Sequence, residues 1–349
     1  MKNMTFYMCN NEYPKVEQLV EIHERYSLAI SEQEACGDEA VASQTPARIG
    51  NAQPEAKSAW EQLMEMTGLE SVKEIIAKQL SYHRIMNVRR SAGLKAPKRL
   101  LHMLLIGNPG TGKTTVARLI GKIYEESGLL SSGHIVETNR AGLVGQFIGQ
   151  SEKITTEKLQ MASGGILYID EIYSLVDGGG TDNVDGRDFG MRVIDTLMPV
   201  LSNPDSDVMV IGAGYPENIK FFLKANPGLA SRFPLVLEFP DFTLEELMEI
   251  AHKHLEKYDF RLSEEAELKL RRLIEQVHAG KNNGNARQVI TIIENHLIPN
   301  FCLRIDAAGS IASLSKDEMG LIIPDDVPDF NAVVSSFLQE KRISIGFNR

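Results

Sequence analysis

The sequence predicts an α/β protein, a parallel sheet with helices on both faces, followed by a small all-helical domain. Three observations predict it. Short apolar runs at 100–106, 166–169, 208–211 and 235–239 alternate with segments of helical periodicity, the pattern of buried parallel strands joined by helical crossovers. The first run enters a glycine-rich turn that opens directly into a helix. From Thr243 onward only 3.6-residue apolar spacing is seen.

Composition narrows the classes. The chain has 349 residues, 43% hydrophobic and 24% charged, enough for two or three domains of an ordinary globular protein. No apolar run approaches the roughly 18 residues of a membrane span, and the first residues lack a secretory cleavage pattern. Cys9, Cys36 and Cys302 are scattered without metal-ligand spacing, so free thiols in a reducing cytoplasm are expected. A net charge of −10 argues against a general nucleic-acid binder.

Taken in order, residues 1–30 form an N-terminal helical segment, with one helix expected at Lys15–Ile30. Residues 31–57 are polar and small, too poor in apolar surface to offset the entropy of ordering, and read as a flexible linker. Residues 58–99 read as helix, turn, helix, the break falling at 66–69. Arg84, Arg89, Arg90, Lys95, Lys98 and Arg99 make this the one basic region, expected as a solvated helix face, with a contribution to holding nucleotide or a neighbouring subunit as the alternative.

Gly107-Asn108-Pro109-Gly110-Thr111-Gly112-Lys113-Thr114 matches G-x-x-x-x-G-K-[ST], the phosphate-binding P-loop, and Thr115 follows it. Glycines let the backbone curl so that successive N–H groups face one anion. The helix beginning near Lys113 adds its positive end. Lys113 can reach the β- and γ-phosphates of ATP, and the Thr114 hydroxyl can sit on Mg²⁺. Val116, Ala117, Leu119, Ile120, Ile123 and Tyr124 give the helix its apolar face.

A short strand is expected at 133–138, then a loop containing Phe147-Ile148-Gly149, then a polar helix to Met161. The apolar strand ending at Ile169 delivers Asp170 and Glu171. Beside a P-loop, Asp170 can orient the Mg²⁺ water shell and Glu171 can polarise the water attacking the γ-phosphate. Residues 177–188 form a glycine- and aspartate-rich loop, followed by a helix at 189–201, a strand at 208–211, a helix at 216–225, a turn carrying Arg232 and a last strand at 235–239. The nucleotide domain thus spans 58–241. Helices at 244–256, 263–277 and 285–305 build the lid, 242–328, and residues 329–349 form a tail with a short helix around 333–339.

With these pieces placed, the chain resembles an AAA+ ATPase, and more narrowly the CbxX/CfxQ branch that includes the red-type Rubisco activases and stage V sporulation protein K. The resemblance covers about residues 60–328. Its carriers are GNPGTGKTTVARLIG (107–121), SGHIVETNRAGLVGQFIGQS (132–151), GGILYIDEIYSL (164–175), IGAGYPENIKFFLKANPGLASRF (211–233) and GNARQV (284–289). The second, fourth and fifth are the most specific. The resemblance implies a ring, expected as a hexamer, with Arg232 as an arginine finger for the neighbouring subunit and Arg287 as the sensor-2 arginine. It implies a pore loop at Phe147-Ile148-Gly149, where an aromatic and an apolar side chain grip a polypeptide; burial of both in the core is the alternative. Where many such proteins carry an asparagine or threonine sensor 1, this chain has Gly214-Tyr215.

The expected function is therefore an ATP-hydrolysing motor that remodels an unidentified protein partner. A nucleotide-switched adaptor or scaffold is the alternative; a nucleic-acid motor and a small-molecule kinase fit the charge and the lid less well.

Overall fold

The computed structural model describes residues 57–147, 149–176, 189–226, 228–279, 284–307 and 314–335. The helix expected at 15–30, all of the expected linker except Lys57, the 177–188 loop, Ile148 and residues 336–349 lie outside the described residues.

Five strands form one parallel sheet: β1 (Met103–Gly107), β2 (Ile135–Thr138), β3 (Ile166–Ile169), β4 (Met209–Gly214) and β5 (Leu235–Phe239), in the order β2-β3-β4-β1-β5. Met103 of β1 pairs with Ile211 on one side and Leu235 on the other. Side chains alternate across the sheet as the pleat requires. Met103, Leu105, Ile166, Tyr168 and Ile211 join one core, and Leu104, Leu167, Ile169 and Val210 the other.

Helices cover both faces. The first core holds α1 (Ala59–Met64), α2 (Glu70–Ser91) and α3 (Lys113–Glu126). The second holds α4 (Gln150–Met161), α5 (Phe189–Leu201), α6 (Pro216–Ala225) and α7 (Leu229–Arg232). A reciprocal cap between Ser58 and Glu61 starts α1, and positive φ at Gly68 and Leu69 separates it from α2. The turn expected around Arg232 contains the single helical turn α7.

The helical domain keeps its own core. Thr243 and Glu246 cap α8 (Leu244–Glu256), and the Ser263 hydroxyl accepts from the Ala266 N–H to cap α9 (Glu264–His278). The expected long helix is α10 (Asn285–Ile292), a π turn at Ile293–Leu297 and α11 (Ile298–Ala307). Pro299 explains the irregular turn: it has no N–H to donate and its ring crowds the preceding turn. The expectation of helices alone is corrected at one place. Arg261–Leu262 (β6) pairs in parallel with Leu321–Ile322 (β7), strands too short to show a period. Val333 is fully buried in this core and residues 330–335 are helical, so packing continues past Pro328. Beneath it the buried Asp326 carboxylate takes Arg304 Nε at 2.7 Å, Arg304 Nη2 at 2.9 Å and the Ile323 N–H at 2.9 Å.

Candidate nucleotide site

β1 ends at Gly107, where a Cβ would lie 2.4 Å from the Phe239 carbonyl oxygen, so only glycine lets β1 and β5 meet there. Gly110 and Gly112 take φ of 74° and 92°, turning residues 108–112 around the start of α3. The buried Thr111 donates its hydroxyl proton to the Asn108 carbonyl at 2.8 Å, fixing the curl. Among the described residues, the backbone N–H groups of residues 110–115 have no protein acceptor. Unsatisfied donors at a helix N-terminus form a cradle for an anion.

Lys113 folds back over this cradle, donating to the carbonyls of Gly107 at 2.8 Å and Asn108 at 2.7 Å. Desolvation lowers its pKa and so favours the neutral form; Asp170 pulls the other way, Arg287 lowers it further and Asp241 raises it. A polyphosphate in the cradle would relieve that penalty. The free amides and the desolvated ammonium fit such a ligand.

β3 is buried along its length and ends in the exposed pair Asp170 and Glu171. The Glu171 N–H donates to Asp170 Oδ1 at 3.1 Å, and Glu171 sits at φ 48°, a costly conformation for a side-chain-bearing residue that sets its direction at the strand end. Burial first, then the nearby Glu171 charge, raises the Tyr173 pKa to about 12. Thr114 Oγ1 lies 3.1 Å from the Tyr168 hydroxyl. Desolvation raises the Tyr168 pKa to about 12, keeping it protonated at neutral pH. Oxygen atoms of Thr114 and Asp170 are the donor type that a hard divalent cation such as Mg²⁺ takes.

The lid closes over the P-loop at one spot. A Cβ on Gly110 would lie 2.1 Å from the Gly284 carbonyl oxygen and 3.0 Å from Arg287 Cβ. Arg287 is exposed on the first turn of α10, close enough for its charge to act on Lys113. A cavity of about 950 Å³ opens between the α1–α2 turn and α8, lined by Met66, Thr67, Gly68, Lys73, Glu249 and Lys253 among others. Met66 joins it to the P-loop, its Cε lying 3.4 Å from a Cβ built on Gly112.

Lys113, Thr114, Asp170 and Arg287 therefore gather in one region. Arg232 and Phe147 do not join them. β5 runs parallel to β1, with Met103 opposite Leu235 and Gly107 opposite Phe239. Arg232 precedes β5, so it stands at the end of the sheet away from the P-loop, about 13 Å or more along the strands. There it donates to Ser202 Oγ at 3.2 Å, the Gly228 carbonyl at 3.2 Å and Ser231 Oγ at 2.7 Å. Phe147 follows the edge strand β2 and is 72% exposed, so it is not a core residue. Its N–H and that of Gln146 donate to Gln150 Oε1 at 3.2 and 2.9 Å, and Gly149 turns at φ 81°. Sequence reasoning missed Tyr168, Asp241 and Asn285, each of which touches a P-loop residue. An asparagine directly after glycine at a helix start was the available signal for the last.

Residues 103–241 match the family described as ATPase family associated with various cellular activities (AAA), and residues 243–336 match the AAA lid domain. Stage V sporulation protein K of Bacillus subtilis (strain 168) is 40% identical over 244 residues, covering 69% of this chain and 74% of that protein. The chain belongs to the AAA ATPases, in their CbxX/CfxQ branch. Protein CbbX of Cereibacter sphaeroides is 39% identical over 235 residues, 67% of this chain and 74% of its own length. A protein CfxQ homolog of Trieres chinensis is 36% identical over 263 residues, 75% and 88% of the two chains. As an AAA ATPase the chain binds ATP and converts it with water to ADP and phosphate. Among the described residues, no helix is long and apolar enough to cross a membrane.

Proposed function

We propose that this ATPase is a protein-remodelling motor that works as a ring, expected as a hexamer, and grips a partner polypeptide with the loop at Phe147-Ile148-Gly149. One observation carries the reading: the P-loop and Arg232 lie at opposite ends of the sheet, so a site using both needs a second copy of the chain. Within one copy, the amides of 110–115 and Lys113 hold the phosphates of ATP, while the 950 Å³ cavity beside Met66 offers space for the nucleoside. Thr114 and Asp170 would hold Mg²⁺, which when bound neutralises phosphate charge. Glu171 takes the proton of the attacking water, and Arg287 brings the lid to the phosphates. Arg232 of the adjoining copy supplies the cation that stabilises the departing charge.

The exposed Phe147 supports the gripping role, because 72% exposure of a large apolar side chain gains no folding energy. The backbone around it is nevertheless pinned by Gln150 and Ser151, the latter accepting the Gly145 N–H at 2.9 Å. The test compares partner capture by Glu171→Gln, which holds ATP, with capture by the double variant carrying Phe147→Ala. Loss of the partner in the double variant is expected, with ATP binding and assembly retained. Capture that survives Phe147→Ala would replace the motor by a nucleotide-switched adaptor.

A further inference from the structure

Asn285 is the first residue of α10, in left-handed backbone at φ 49° and 1% exposed. Asparagine tolerates that conformation better than other side-chain-bearing residues, and glycine would be cheaper still. The side chain is used in full. Nδ2 donates to the Pro109 carbonyl at 3.2 Å and to Asp241 Oδ1 at 2.9 Å, and Oδ1 accepts the Phe242 N–H at 3.0 Å. The Asp241 carboxylate also takes Asn108 Nδ2, at 2.9 Å to Oδ1 and 3.0 Å to Oδ2. Asp241 belongs to the segment by which the chain leaves β5 for the lid.

Three parts with separate histories in the sequence are thus tied at one point: the P-loop peptide 108–109, the passage from sheet to lid, and the helix that carries Arg287. Rotation of α10 away from the P-loop would break the Pro109 and Asp241 bonds of a buried carboxamide, leaving donors to be satisfied elsewhere. Movement of residues 108–109 as phosphates fill the cradle would pull on the same bonds.

We propose that Asn285 and Asp241 form a latch that couples the P-loop to the lid, making both positioning residues for Arg287. This rests on the role proposed above for Arg287, and the test separates the two. Asn285→Asp keeps the shape, the tolerance of left-handed backbone and the acceptor for Phe242. It replaces the donor by a carboxylate facing Asp241 and the Pro109 carbonyl. Asp241→Asn restores a donor from the other side while its oxygen still accepts from Asn108.

In the full chain, Asn285→Asp is expected to lower kcat at least about tenfold, and Asn285→Asp with Asp241→Asn to recover most of that loss. A non-hydrolysable ATP analogue should slow amide hydrogen exchange over 285–292 in the parent and not in Asn285→Asp. Parent-like turnover by Asn285→Asp, or a double variant no better than the single one, overturns the latch. Should Asn285→Asp fold poorly, the exposed Asp241→Ala replaces it: the same loss of turnover and of nucleotide-induced protection is expected, and parent-like values overturn the proposal. An Arg287→Ala chain that turns over normally would instead remove the role of Arg287, leaving the exchange measurement to judge the latch.

Discussion

Tyr168 shows how much a single hydroxyl can decide. Phenylalanine would fill the same space in the core, yet the oxygen at 3.1 Å from Thr114 Oγ1 gives that hydroxyl a hydrogen-bond partner. Tyr168→Phe is expected to leave thermal stability nearly unchanged and to raise the Mg²⁺ concentration for half-maximal ATPase by roughly three- to tenfold, the scale of one net hydrogen bond. An unaltered Mg²⁺ titration would remove the positioning role. Glu171→Gln is expected to bind ATP within about threefold of the parent and to turn it over roughly 10²- to 10⁴-fold more slowly, the range for a lost general base. Single-turnover assays with labelled ATP distinguish binding from hydrolysis. At this scale the sequence is uneven. Lys113, Thr114 and Asp170 are readable because the chemistry confines them to a contiguous motif or a strand end. Tyr168 and Asn285 are not, because their partners lie 54 and 176 residues away; the Gly-Asn start of α10 hints at an unusual backbone for Asn285 but does not name its partner.

Elements with a long apolar period are the legible ones, and β1, α3, α8 and α9 stand where periodicity and capping place them. β6 and β7 have two residues each, and α7 has one turn; pairing and packing, not local preference, create them. Just before β1, His102 shows an element held by a buried base. It is 1% exposed, and its Nδ1 accepts the Val210 N–H at 3.0 Å, which ties the entry of β1 to β4. Burial pushes its pKa down to about 4, so it stays neutral in the folded chain while the unfolded chain binds a proton below about 6.5. Between those values the unfolded state holds the extra proton, so stability falls as pH drops from about 6.5 towards 4, by about 3 kcal/mol at the acidic end. Thermal melts across pH 4–7 should show that slope. His102→Asn keeps an acceptor for Val210 and should flatten it; an identical slope in the variant would place the titration elsewhere.

For the whole molecule, the sheet order and the two cores follow from the alternation of strands and helices, but the placement of Arg232 needs the pairing of β5 with β1. That placement makes a quantitative prediction. Arg232→Ala should lose about 10³-fold or more in turnover while still binding ATP, and Lys113→Ala should be inactive through its cradle. Mixed one to one, the two inactive chains should recover about one quarter of parental activity, since half the cradles and half the neighbouring arginines are intact. A mixture as inactive as its components would mean that Arg232 serves its own chain or none.

The same front-to-back arrangement bears on how copies add. If Arg232 serves a neighbouring cradle as proposed, a pair that joins cradle to guanidinium leaves one of each unspent at its two ends, so the contact is unlike on its two sides and invites another copy. Such growth stops only when the turn per copy divides a full circle; a slightly different turn winds an open spiral instead. In the proposed assembly, a small shift of the lid repeated at every junction would choose between a closed circle and an open coil.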